Sequence, residues 1–131
     1  KKIFKMNREI KLRAWNEIIS EMVYEKNTPH NFGRLNSDEI LRMYDNVMQF
    51  TGVRDKNGKE VYEGDLLSDM KEFPMILPVI YDEENAMFCC DISYKNDGSS
   101  IDGIKACFSD GFTVVGNIFE NPELLKSGGE K

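Results

Sequence analysis

Glu63 and Asp65 stand two apart and are the acidic pair in this sequence best spaced for acid–base chemistry. In a strand both would face one side, close enough for one carboxylate to raise the pKa of the other. General acid–base work on a sugar or phosphate needs such a pair in a cleft. A solvated strand face, or a turn in which Asp65 bonds the backbone beside Gly64, accommodates the same residues. Lys11, Arg13 and Trp15 form a second candidate set. A basic and aromatic run of that kind would hold a single-stranded nucleic acid through charge and stacking. Phe50, Tyr62, Tyr81, Phe88, Phe108 and Phe119 of the predicted strands lack an adjacent Lys or Arg, and core packing is their expected role.

Other routes to catalysis lack their residues. Cys89, Cys90, Cys107 and the single His30 show no Cys-x-x-Cys or His-pair spacing, so no metal is expected. A thiol nucleophile needs a base within reach, and His30 is far along the chain from all three cysteines. They are read as buried core thiols. Asp55-x-Asn57-Gly58 puts its glycine too early for a calcium loop and reads as a turn. There is no nucleophile elbow, phosphate loop or dinucleotide fingerprint, and no cofactor is expected.

Positioning these side chains falls to a mostly β chain. Ile10–Trp15 alternates apolar and basic residues, the period of a half-buried strand. Residues 17–24 suit either a helix or a strand. Asn36-Ser37-Asp38-Glu39 predicts a capping box that opens a short helix over Ser37–Asn46. Asn57-Gly58 predicts a hairpin between strands Val47–Val53 and Glu60–Leu67. Further strands are expected over Pro74–Tyr81, Ala86–Ile92, Ile101–Phe108 and Thr113–Phe119, with a helical tail from Pro122. Turns every ten to twelve residues predict a small barrel or a strongly bent sheet.

The chain has 131 residues, 17 of them Lys or Arg and 23 Asp or Glu, for a net charge of −6. That length suits one domain with an adequate core. Residues 1–15 carry six bases against one acid, whereas residues 60–110 carry twelve acids against three bases. An acidic domain repels phosphate backbones, which disfavours duplex binding. No apolar run approaches the ~20 residues of a membrane span, and the basic start, with no apolar run after it, is not expected to act as a secretory signal. With an odd number of cysteines, the expected compartment is the cytoplasm.

Three segments, taken in order, carry a resemblance. Glu9-Ile10-Lys11-Leu12-Arg13-Ala14-Trp15-Asn16 comes first, then the run from Met48 to Leu66 containing Thr51-Gly52, Asp55-Lys56-Asn57-Gly58 and Tyr62-Glu63-Gly64-Asp65, and last the run from Val114 to Leu125 containing Gly116-Asn117 and Asn121-Pro122. Together they resemble the YopX family of phage and prophage proteins. The resemblance implies a mainly β, α+β-by-content domain, an SH3-like or strongly bent β-barrel with one short helix and a short C-terminal helical tail. It implies a natural start at Met6, with residues 1–5 an extension. The β core is expected at about 47–119 and a flexible tail at 126–131. No catalytic residue carries over from the family.

The expected function is therefore a non-enzymatic interaction module, an accessory protein of a phage or prophage that binds a host or phage protein. Lys11, Arg13, Trp15, Glu63 and Asp65 are the candidate surface. A single-strand nucleic-acid binder and a small paired-carboxylate enzyme are the alternatives. Pairing of an exposed edge strand would allow self-association.

Overall fold

A computed structural model describes residues 9–25, 36–72, 74–91, 101–109 and 111–125. His30, the loop after Ile92 and both termini, for which expectations were stated above, lie outside them.

The alternating N-terminal run forms β1 (Leu12–Asn16), and the ambiguous segment after it resolves as a turn followed by β2 (Glu21–Tyr24). The Asn16 Oδ1 accepts the Ile18 N–H at 3.0 Å, which closes the turn between them. The predicted capping box is present: Asn36 Oδ1 accepts the Glu39 N–H at 2.8 Å, and Glu39 Oε1 accepts the Asn36 N–H at 3.0 Å. It opens α1 (Ser37–Met43), shorter than expected because the backbone turns extended at Tyr44. Buried Glu25 ties this helix to β1, accepting from the Leu12 amide and the Ser37 hydroxyl.

β3 (Val47–Arg54) and β4 (Glu60–Tyr62) flank the predicted Asn-Gly turn. The strand expected over Glu60–Leu67 does not continue. It breaks at Glu63–Gly64, where Gly64 adopts φ +86°, and resumes as β5 (Asp65–Ser68) in a different sheet. A side chain on Gly64 would also crowd the Met48 sulfur at 3.1 Å. This bend carries the chain from one sheet to the other.

β6 (Ile76–Asp82), β7 (Met87–Asp91) and β9 (Thr113–Asn117) match expected strands. The expected strand over Ile101–Phe108 is instead β8 (Ile101–Gly103) followed by α2 (Ile104–Ser109). Residues 104, 107 and 108 have helical spacing, and all three pack into the core. A helical turn follows Pro122 as expected. The result is a strongly bent, mainly β fold with two helices rather than one, and one sheet curled into a half-barrel.

All strand pairs are antiparallel, in a four-stranded sheet ordered β2-β1-β3-β4 and a five-stranded sheet ordered β8-β7-β6-β5-β9. The core draws on both sheets and α2, around Val61, Leu67, Leu77, Val79, Ile104 and Phe112. Cys90 and Cys107 form a disulfide inside it, a correction to the expectation of separate thiols, while Cys89 is buried and free. The sequence reading missed the pair because 107 was placed on a strand, whereas α2 turns it toward β7.

Asp55 organises the hairpin. Its Oδ1 accepts the Asn57 and Lys59 amides at 2.9 and 3.0 Å, and its Oδ2 accepts the Val114 amide of β9 at 3.1 Å. Burial alone would raise the carboxyl, but the three amides outweigh it and hold the pKa below the ordinary 3.8. A carboxylate whose pKa is depressed on folding adds stability above its unfolded pKa and loses it as pH falls through the folded value. Asp55→Asn should therefore cost about 1.5–3 kcal/mol near neutrality. Measured by chemical denaturation against pH, the difference between the two proteins should shrink below about pH 4.

Candidate functional site

The three segments singled out in the sequence meet at the junction of the two sheets. Arg13 of β1 is buried there, and its Nη2 donates to Asp65 Oδ1 at 2.8 Å and to the Glu63 carbonyl at 3.1 Å. Asp65 Oδ2 accepts the Tyr62 amide at 2.8 Å, and the Arg13 guanidinium lies 4.6 Å from the Tyr62 ring centroid. Burial pushes the Asp65 carboxyl above its ordinary value, against the pull of Arg13 and the Tyr62 amide. Arg13 Nε is buried without a hydrogen-bond partner. The pair is a structural clasp between sheets, and a polar hollow of about 320 Å³ lies beside it, reaching Lys59 and Asn117.

Glu63 faces elsewhere. Its Oε1 accepts the Gln49 amide at 2.8 Å, and it lines two hollows, neither of which includes Asp65. The sequence reading placed both acids on one strand face; the bend at Gly64 separates them. Glu63 and Asp65 therefore do not form a carboxylate pair.

Lys11 and Trp15 are also engaged. Lys11 pairs with Glu60 and with Glu9, and Arg54 joins the same two acids. Both cations lie over Phe50, at 5.1 and 5.4 Å from the ring centroid. Hydrogen bonding to Glu60 raises the Lys11 pKa, so it stays fully charged. Trp15 stacks on Phe119 at 5.6 Å with 11° between the rings. Among the five candidates the structure thus joins Arg13 with Asp65, and leaves Trp15 and Glu63 along a different feature.

That feature is a trough of three hollows that share lining residues, the last two of them in the seam between the sheets. It starts beside Trp15, Ile18 and Met43 in a hollow of about 330 Å³. Asp45 and Asn46 are shared with a second hollow of about 340 Å³, walled by β3 on one side and by β6 and Ile118 on the other. Glu63 and Tyr81 are shared with a third of about 420 Å³ that ends at β7. Ile18 is 92% exposed, Met43 60% and Tyr81 44%, so the trough gathers apolar surface that the fold leaves uncovered. Sequence reasoning missed Ile18, Met43, Asp45 and Tyr81. The one available signal was the apolar Ile18-Ile19 pair straight after Asn16-Glu17, where the strand period fails.

Among the described residues no three His, Cys, Asp or Glu side chains gather to hold a metal ion, and no helix is long and apolar enough to cross a membrane.

A small mainly β protein with two antiparallel sheets clasped by a buried Arg–Asp pair is the class that this architecture defines. The chain belongs to the YopX protein family, whose pattern matches residues 11–126. It is similar to the crystal structure of protein EF1440 from Enterococcus faecalis, with a TM-score of 0.59 and 26% sequence identity over 91% of this chain and 99% of that one. No curated protein matches the chain significantly in sequence.

Removing one partner of a buried ion pair strands the other charge, whereas replacing both with apolar groups does not. Arg13→Met and Asp65→Leu should each cost about 3–5 kcal/mol, and the double variant should recover most of that loss. Urea denaturation of the three proteins measures the cycle. Additive losses would show that the clasp is not a coupled pair.

Proposed function

We propose that this YopX protein is a non-enzymatic interaction module, a phage or prophage accessory protein that docks a host or phage protein in the bacterial cytoplasm. The trough carries this reading. Four of the ten exposed large apolar side chains among the described residues, Ile18, Met43, Tyr81 and Ile118, line this one concave feature. Two further observations support it. The acids needed for paired-carboxylate catalysis line separate hollows. Lys11 and Arg13, the described bases of the basic N-terminal segment on which single-strand binding would rest, are both committed to ion pairs. The phage assignment rests on the resemblance of the three sequence segments.

The test is affinity capture from nuclease-treated bacterial lysate, comparing the native chain with an Ile18→Asp/Tyr81→Ala variant. A protein that survives nuclease and falls at least tenfold with the variant is the expected result. Retention unchanged by the variant would move the docking surface away from the trough. Material that disappears with nuclease would favour nucleic acid.

A further inference from the structure

The charges along the trough are all of one sign. Glu17, Asp45 and Glu63 succeed one another from its first hollow to its last, and none of the chain's 17 Lys and Arg lines it among the described residues. Among the described residues none of these three acids forms an ion pair. Four acids outside it, Glu9, Glu60, Asp65 and Asp38, are met by Lys11, Arg54, Arg13 and Arg42. Between the acids stand Ile18, Met43 and Tyr81, exposed and apolar.

We infer that the trough takes an extended segment of a partner protein in which Lys or Arg alternates with apolar residues. This rests on the interaction-module reading and names the chemistry of its partner. The basic groups meet Glu17, Asp45 and Glu63, and the apolar ones cover Ile18, Met43 and Tyr81. The net charge of −6 draws such a segment in and turns acidic competitors away.

The probes are three labelled ten-residue peptides, alternating Lys-Leu, Glu-Leu and Lys-Gly, titrated with the full chain by fluorescence anisotropy. The Lys-Leu peptide should bind, weaken with added salt, and bind at least tenfold more tightly than either control. Glu17→Gln/Asp45→Asn/Glu63→Gln, whose amides keep the size of the acids and the acceptor for the Gln49 N–H, should lose at least tenfold. Ile18→Ser/Tyr81→Ala should lose a similar factor, with circular dichroism confirming that both variants are folded. Equal binding of the Glu-Leu peptide, no binding of the Lys-Leu peptide, or indifference to either variant overturns the inference. Because lysate capture reads any protein partner, a captured protein that needs Ile18 and Tyr81 but carries no basic–apolar segment would overturn this inference while leaving the module reading intact.

Discussion

The buried pair of Arg13 and Asp65 is the constraint on which the rest of this architecture hangs. Asp65 opens β5 in the five-stranded sheet, and Arg13 belongs to β1 in the four-stranded one. Neither charge is tolerable in the interior alone. Their contact therefore fixes where the sheets touch. A guanidinium suits this place because one terminal nitrogen serves both the carboxylate and the Glu63 carbonyl while its planar face covers Tyr62. The unpartnered Nε shows that the clasp is incompletely satisfied, and its gain lies in geometry as much as in energy. The chain crosses between sheets at Gly64, directly beside this contact. Gly64 continues the linkage: its N–H donates to the Val79 carbonyl, and its own carbonyl accepts the Ile118 amide.

The outer strand β9 shows a related economy. It pairs only with β5, so its other edge would offer unpaired amides to any passing strand. Side chains occupy that edge instead. Asp55 accepts the Val114 amide, and Asn121 Oδ1 accepts the Asn117 amide. Asn121 comes so close that a Cβ on Gly116 would lie 2.4 Å from its Oδ1 and 3.0 Å from its Cβ, so the whole side chain would have to move. Asn117 in turn accepts the Phe119 and Glu120 amides, which turns the chain back so that Asn121 arrives in place.

Features governed by neighbouring residues were legible in the sequence. The capping box at Asn36 and the turn at Asn57-Gly58 depend on local backbone preferences, and both are found where they were read. Features set by distant partners were not. Glu63 and Asp65 look equivalent in a strand pattern, and only the sheet crossing sends one into the interior toward Arg13. Arg13 itself looks like part of a basic arm, because nothing within several residues of it announces a buried carboxylate 52 positions away. At Ile104–Phe108 two periodicities competed in a segment too short to separate them, and packing against β7 decided for a helix. The trough was least visible, since it is a space between sheets with no local pattern of its own.

This division has a consequence for what a family likeness can convey. The residues that carry the likeness to YopX proteins include Arg13, Tyr62, Gly64, Asp65, Gly116, Asn117 and Asn121, which build the clasp, the crossing and the covered edge. Their roles are architectural, so a chain can share them and share only its scaffold. The trough draws on that scaffold for Glu63 and Ile118, but Ile18, Met43, Asp45 and Phe88 come from stretches outside the three segments. Changes there would alter what the seam accepts without disturbing the Arg13–Asp65 contact that creates it. A fold organised in this way can keep one junction fixed while the lining of the seam changes, so the motifs that identify the family describe its scaffold rather than an activity.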